Sequence, residues 1–153
     1  MPKVLIRPAR AADAEPMTEL AVRSEGHWGY SPEFMRSYRE AYGLTGAFIA
    51  RHAVFVAELE GVPVGFYALV PEDDGISLEY LYIEPARLGT GLGRMLWEHM
   101  VAHCRQARIP EISLVCGPQP LAFYLKMGAA QVGEVDSLVV PGRKVPKLRF
   151  QIV

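Results

Sequence analysis

The sequence predicts an α/β (α+β) fold: a mixed, mostly antiparallel central sheet of about seven strands with four helices packed against it. Three observations lead to this prediction. Short apolar runs bounded by turn residues recur along the chain, three of them in succession. Several other stretches follow the helical period instead. A glycine-rich turn joins a strand to the longest of these stretches, which allows one parallel crossover.

Composition bounds the class of protein. Of 153 residues, 50% are hydrophobic and 22% are charged, and 16 basic side chains nearly cancel 17 acidic ones. This excludes a disordered chain and argues against a general nucleic-acid binder. No apolar run reaches the roughly 20 residues of a membrane span, the first residues do not resemble a signal peptide, and two cysteines cannot form a disulfide framework. We therefore expect one cytoplasmic domain over residues 1–153.

The first half of the chain predicts a strand, two helices and a three-stranded meander. A strand at residues 4–7 precedes a helix that opens at Asp13 and is broken by residues 26–32. Ser31 and Pro32 are typical of an N-cap and first helical position. The remaining predicted boundaries are the end of this helix at Gly43 and Gly46, strands at 53–60, 62–70 and 76–83, a tight hairpin at Glu60-Gly61 and a turn at 71–75.

The second half changes pattern after the meander. Leu92, Leu96, Met100 and Cys104 recur at helical spacing. The predicted elements that follow are a buried strand at 112–115, a short helix at 120–127 ended by Gly128, and strands at 130–140 and 145–153 separated by Pro141-Gly142.

Gly89, Gly91 and Gly93 form the turn that opens the long helix. Glycines let a ligand approach the backbone, and the unpaired amides of a helix start favour an anion, most plausibly a phosphate. The turn lacks the lysine of a nucleotide-hydrolysing loop, and its spacing does not fit the dinucleotide fingerprint. A plain packing turn is the alternative.

In two stretches the sequence resembles the GNAT superfamily of acyl-CoA-dependent N-acyltransferases: residues 78–96 (LEYLYIEPARLGTGLGRML) and 120–128 (PLAFYLKMG). The order of predicted elements also matches that family. The resemblance implies a GNAT-like (acyl-CoA N-acyltransferase) fold, acetyl-CoA as cosubstrate, and two central strands that splay apart. It implies that the pyrophosphate of coenzyme A lies on the backbone of the glycine-rich turn and that strand 76–83 pairs with the pantetheine arm. The cofactor-binding residues it implies are Leu81, Tyr82, Ile83, Leu88, Gly89, Thr90, Gly91, Leu92, Gly93, Arg94, Gln119 and Tyr124.

Two positions depart from the family pattern. Leu88 stands where Gln or Arg is usual, which matters little because the turn binds through its backbone. The segment before Tyr124 lacks the frequent asparagine, so either a polar contact to pantetheine is missing or Gln119 replaces it.

Acetyl transfer needs a neutral amine, a stabilised oxyanion and a proton for the departing thiolate. The resemblance places Tyr124 near the thioester sulfur, where its hydroxyl suits a general acid; a core tyrosine is the alternative. Glu79 is the candidate base, because strand alternation predicts that it shares a face with apolar Leu81 and Ile83, which would raise its pKa. Its alternative is a structural ion pair. No covalent nucleophile is required, and we interpret Cys116 as a core residue.

Acceptor recognition is assigned to aromatic residues His27, Trp28 and Tyr30, which could box an amine by cation–π contact or simply cover the sheet. Arg143 could bind a substrate carboxylate or lie in a solvated turn. His99 and His103 have helical spacing, but we interpret them as boundary or surface residues and predict no metal site.

The sequence therefore predicts an acetyl-CoA-dependent N-acetyltransferase acting on a primary amine of a small molecule or peptide, by direct transfer in a ternary complex. It predicts no nucleic-acid or membrane partner. A non-catalytic acyl-CoA sensor and a flavin or nicotinamide oxidoreductase are the alternatives. The exposed edges of the C-terminal strands also allow a homodimer.

Overall fold

The computed structural model describes residues 3–152 as a seven-stranded sheet with helices on both faces. The strands are β1 (Val4–Pro8), β2 (Ala53–Leu59), β3 (Val62–Glu72), β4 (Gly75–Ile83), β5 (Glu111–Val115), β6 (Ala130–Asp136) and β7 (Lys144–Gln151). The α-helices are α1 (Ala14–Gly26), α2 (Pro32–Tyr42), α3 (Gly46–Arg51), α4 (Leu92–Gln106) and α5 (Leu121–Lys126), with 3₁₀ turns at Ala11–Asp13 and Pro85–Arg87.

The strand order is β1-β2-β3-β4-β5-β7-β6, and every neighbouring pair is antiparallel except β4 and β5. This confirms the predicted fold class, including the single parallel crossover. Helices α1 to α3 cover one face of the sheet around Met17, Leu20 and Phe66. Helices α4 and α5 cover the other around Leu96, Met100 and Tyr124. Each face thus has its own buried core.

Strands β4 and β5 are paired over only two positions, Ile76 with Ile112 and Ser77 with Ser113. Beyond Ser77, β4 continues for six residues to Ile83 without pairing to β5. The implied splay between the two central strands is therefore present, and one edge of β4 borders an open gap inside the sheet.

A β-bulge interrupts β4 opposite β3. Leu78 pairs with Leu69 and Tyr80 pairs with Ala68, which leaves Glu79 as the extra residue. As a result Leu78 and Leu81 pack in the α4–α5 core, whereas Tyr80 packs on the opposite face. Strict alternation therefore does not hold from Leu78 to Leu81, because the bulge at Glu79 shifts the phase of the strand.

Local signals are confirmed at several boundaries. The Ser31 hydroxyl accepts a hydrogen bond from the Phe34 amide, 3.1 Å away, as an N-cap should. Glu60 and Gly61 have φ of 52° and 81°, the left-handed pair of a tight hairpin. Gly128, with φ of 105°, follows the end of α5. His99 and His103, one turn apart on α4, are half-buried, as predicted for boundary residues.

Besides shifts of one residue at several element ends, the structure differs from the prediction in four places. Helix α3 was missed: Gly46 begins it rather than ending α2, and its N-cap is Thr45. Strand β3 runs through Pro71 to Glu72, because Pro71 can lie opposite Ile76 near the strand end. Strand β6 stops at Asp136, since the Ser137 hydroxyl accepts the amides of Val139 and Val140 and turns the chain. The predicted last strand ends at Gln151, and Val153 lies outside the described residues.

Candidate active site

The gap between β4 and β5 opens into a cavity of 790 Å³. The cavity is bordered by the second half of β4, the glycine-rich turn, α5, the C-terminal end of α1, α2, and a segment that includes Val135 and Val145. Both helical layers thus contribute to one site at the split in the sheet. A split of this kind suits an extended ligand, because the unpaired edge of β4 offers backbone groups along its length.

The glycine-rich turn presents unpaired amides at the mouth of this cavity. Gly91 precedes α4 in the left-handed conformation, with φ of 88°. The amides of Leu88 and Thr90 donate within the turn, to the carbonyls of Pro85 and Arg87. Among residues 3–152, no hydrogen-bond acceptor is found for the amides of Gly89, Gly91, Leu92, Gly93 and Arg94. Unpaired amides together with the positive end of the helix dipole are suited to an anion.

Gly93 lets α4 approach the sheet and α5 closely. A Cβ at this position would lie 2.9 Å from Ile83 Cδ1 and 3.2 Å from Phe123 Cε1. Any side chain here would force Ile83 and Phe123 to shift, so glycine suits the close packing of the first turn of α4. Leu88 is 43% exposed, and its amide is engaged by the Pro85 carbonyl.

Tyr124 is buried on α5 and lines the cavity. Its ring packs against Trp97 and Phe123, at centroid distances of 5.9 and 5.4 Å. Burial, and secondarily the nearby Cys116, raise the pKa of the Tyr124 hydroxyl above its usual value. At neutral pH this group therefore holds its proton, which is the form that a general acid requires.

Cys116 follows β5 and is buried, as predicted. Burial raises the pKa of its thiol to about 11, so the thiol stays protonated near neutral pH. A protonated thiol is a poor nucleophile, and the sequence-based interpretation of a core cysteine agrees with this environment.

Glu79 lies on the bulge of β4 and also lines the cavity. Its side chain takes part in no ion pair among the residues that the structure describes, so the structural alternative to a base is not supported. Burial, followed by the charge of Glu72, raises the pKa of Glu79 above its usual value, whereas Ser77 lowers it slightly. A carboxylate with a raised pKa is a better proton acceptor.

Sequence reasoning missed two further groups of this cavity, Glu25 and Tyr38. Glu25 is at the end of α1, where burial raises the pKa of its carboxyl group and the charge of Arg143 opposes the shift. Tyr38 on α2 is 1% exposed, and its hydroxyl has no hydrogen-bond partner within the described chain. The helical period alone assigns Tyr38 to a core and Glu25 to a solvated helix end, so no sequence signal marks either as part of a site.

Tyr30 and Gln119 join the two sides of the cavity mouth. The Tyr30 hydroxyl donates to Gln119 Oε1 over 2.9 Å, and the Tyr30 ring stacks on Phe34 at 4.1 Å. The side-chain oxygen of Gln119 is therefore engaged by the aromatic loop. This bridge links the α1–α2 connection to the segment that precedes α5.

The residues predicted for the site fall in two groups. Fourteen of them line the cavity: Trp28, Tyr30, Glu79, Leu81, Tyr82, Ile83, Leu88, Gly89, Gly91, Gly93, Arg94, Gln119, Tyr124 and Arg143. The side chains of His27, Thr90 and Leu92 do not. His27 is exposed and packs edge-on against Trp28 at 4.8 Å, and Leu92 is buried in the α4 core.

Among residues 3–152, no group of three or more His, Cys, Asp or Glu side chains is arranged to hold a metal ion. No helix in the same range is long and apolar enough to cross a membrane. His99 Nδ1 instead lies 2.7 Å from the Tyr67 hydroxyl, outside the cavity.

The profile of the acetyltransferase (GNAT) family matches residues 14–129. The chain belongs to the GNAT family. The match includes α1 to α5 and β2 to β5, and therefore both walls of the gap and the glycine-rich turn. This membership makes the chain an acyltransferase by family. A search of curated protein sequences finds no match.

Solved GNAT structures share the fold over nearly the whole chain. The PaiA N-acetyltransferase from Thermoplasma acidophilum, in complex with coenzyme A, is 21% identical with a TM-score of 0.82, over 97% of this chain and 99% of that one. The ribosomal-protein-S18-alanine N-acetyltransferase from Escherichia coli is 17% identical with a TM-score of 0.73, over 98% and 94%. YncA from Salmonella typhimurium, with its cofactor acetyl-CoA, is 21% identical with a TM-score of 0.69, over 99% and 95%.

Proposed function

We propose that this chain transfers an acetyl group from acetyl-CoA to a primary amine of a small molecule or peptide, directly and in a ternary complex. The observation that carries the proposal is that one continuous cavity joins the free amides, the gap in the sheet and two groups that can transfer protons. Unpaired amides at the start of α4 adjoin the gap beside β4, and the same cavity holds Tyr124 and Glu79. An anion site, a strand-shaped slot and two proton-transfer groups are what a phosphate-bearing thioester substrate needs.

Binding is assigned to the backbone. The pyrophosphate of coenzyme A would lie on the free amides of Gly89 and of residues 91–94, where the helix dipole adds favourable charge. The pantetheine arm would run along the open edge of β4 at Leu81 and Ile83. The coenzyme A and acetyl-CoA complexes of PaiA and YncA, which share this fold, support a cosubstrate of this type.

Chemistry is assigned to two side chains. The amine nitrogen attacks the thioester carbonyl carbon, and its proton passes to the Glu79 carboxylate, directly or through water. The C–S bond then breaks, and the thiolate takes the proton of the Tyr124 hydroxyl. The products are the amide and free coenzyme A. Tyr124 recovers a proton from solvent or from Glu79 before the next cycle.

A panel of primary amines tests this proposal. Each is incubated with the full chain and acetyl-CoA while free coenzyme A is recorded, and mass spectrometry identifies the amine that gains an acetyl group. Release that depends on one class of amine supports the proposal. Tight binding of acetyl-CoA without release above the rate of spontaneous hydrolysis for any amine would instead support the sensor alternative. The cytoplasmic location and the homodimer stay predictions.

A further inference from the structure

Among residues 3–152, every carboxylate outside the cavity that is at least half-buried is held by an arginine. Arg23 pairs with Glu84 at 2.7 Å, Arg39 with Glu19 at 2.9 Å, and Arg149 with Glu111 at 2.6 Å. Glu25 and Glu79 differ. Within the described residues neither makes an ion pair or a side-chain hydrogen bond of normal geometry, although both are half-buried and line the cavity. Two half-buried carboxylates without an ion pair in one cavity require an explanation, because burial of a charge is costly.

The position of Glu25 does not stabilise helix α1. It lies in the last turn of α1, where the negative end of the helix dipole disfavours a carboxylate. Arg143 also lines the cavity and is near enough to lower the pKa of Glu25, but the two side chains form no ion pair. Helix stability therefore does not explain the unpaired Glu25 carboxylate, and its place in the lining of the cavity points to a ligand instead.

Tyr38 supplies the second, independent observation. It is 1% exposed and lines the same cavity, yet its hydroxyl has no hydrogen-bond partner. The Tyr82 hydroxyl is close enough to influence the pKa of Tyr38, but the two do not meet hydrogen-bond geometry. Glu25, Tyr38, Tyr42 and Tyr82 line the same cavity, and the charge of Glu25 raises the pKa of all three phenols. An orphaned buried hydroxyl that shares a cavity with an unpaired carboxylate is suited to a ligand that donates hydrogen bonds.

We propose that Glu25 and Tyr38 form a subsite for a second cationic group of the acceptor, so that the substrate is an aliphatic amine carrying a further ammonium or guanidinium group. This inference rests on the proposed function and names its substrate class. The reacting amine gives its proton to Glu79, while the other cation donates to the Glu25 carboxylate and the Tyr38 oxygen. The rings of Tyr42, Tyr82 and Trp28 line the same cavity and favour an organic cation by cation–π contact.

Calorimetric titration of the full chain, saturated with coenzyme A, tests the subsite. The probes are a series of alkane-α,ω-diamines and the alkylamines of the same chain length. We expect the best diamine to bind about tenfold more tightly than its matched monoamine, the effect of one charge-assisted hydrogen bond. In Glu25→Gln and in Tyr38→Phe this ratio should fall towards one. Glu15→Gln removes an exposed carboxylate from the same helix and should keep the wild-type ratio.

Equal affinities of diamine and monoamine for the wild-type protein would overturn the inference. So would an equal loss of preference in Glu15→Gln, because the effect would then be a general one of net charge. The titration does not depend on turnover and can be repeated without coenzyme A. Failure of the proposed function, which is scored by release of coenzyme A, is thereby distinguished from failure of the subsite.

Discussion

Tyr124 is the residue whose hydroxyl is most closely tied to the proposed chemistry. Replacement by Phe keeps the ring contacts with Trp97 and removes only the proton donor. We expect kcat to fall about a hundredfold, the usual contribution of a general acid. Steady-state release of coenzyme A measures it. Tyr67→Phe is the matched control, because it removes a buried phenol that bonds His99 outside the cavity.

An unchanged kcat in Tyr124→Phe would contradict the role of Tyr124 as general acid. A loss of the same size in Tyr67→Phe would attribute the effect to lost packing or stability rather than to proton transfer. Circular dichroism melting curves of both variants separate these two causes.

Glu79 predicts a pH dependence. A base acts when it is deprotonated, and burial raises the pKa of Glu79, so the rate should fall as pH falls through a value above the ordinary 4.5. In Glu79→Gln, kcat should drop about tenfold or more, and this acidic limb of kcat should disappear. The kcat–pH profiles of the two proteins test this; a persistent acidic limb in the variant would assign it to another group.

At this scale the sequence predicts the chemistry of single positions better than their surroundings. Tyr124 and the glycines were found because the motif fixes their place on α5 and at the start of α4. The break in side-chain alternation at Glu79 could not be predicted, because the bulge in β4 has no signal in the local sequence pattern. Glu25 and Tyr38 were missed because their environment depends on how α1 and α2 cross the sheet.

Among the elements, the turn before α4 supports the most specific expectation. Gly91 and Gly61 have similar φ values, 88° and 81°, and neither has an atom within 4 Å of an added Cβ. Alanine at either position should cost about 1 kcal/mol of unfolding free energy, because both become strained in the left-handed region. Only Gly91→Ala should also weaken acetyl-CoA binding, since its Cβ would project beside the free amides.

Denaturant unfolding and titration of acetyl-CoA on both variants check this expectation. If Gly61→Ala, in the distant β2–β3 hairpin, lost as much affinity as Gly91→Ala, the effect would follow from stability and not from the anion site.

Sequence patterns locate two kinds of element poorly: short elements, and elements that end where a side chain binds the backbone. Helix α3 has six residues, less than two turns, and the glycine at its start is equally typical of a helix end. Strand β6 ends where the Ser137 hydroxyl accepts hydrogen bonds from two backbone amides, although the apolar residues that follow continue a strand-like pattern. The long amphipathic α4 and the β2–β3 hairpin were predicted correctly because several local signals agree there.

Across the whole molecule, one ion network ties the edge of the sheet to the helices. Arg7 on β1 donates to both Asp13 oxygens, at 2.9 and 3.0 Å, and to Glu58 on β2 at 3.0 Å. The hydrogen bonds from Arg7 lower the pKa of Asp13 more than its burial raises it. The stabilisation that the Arg7–Asp13 interaction gives to the fold is therefore present above the ordinary carboxyl pKa. It is lost as the pH falls through the lowered pKa of Asp13.

Asp13→Asn should accordingly lower the free energy of unfolding by about 2–3 kcal/mol at neutral pH. The difference from wild type should shrink as the solution becomes more acidic than the lowered pKa of Asp13. Thermal melts over a pH series measure this. A difference that stayed constant with pH would show that the network acts through packing rather than through charge.

The account depends on one feature of the whole molecule, the split sheet whose gap leads to the free amides of α4. Titration calorimetry with acetyl-CoA tests that feature most directly. Saturable heat with one site per chain, weakened by Gly91→Ala and retained in Gly61→Ala, is the predicted result. Absence of any heat at millimolar acetyl-CoA from a folded protein would contradict it.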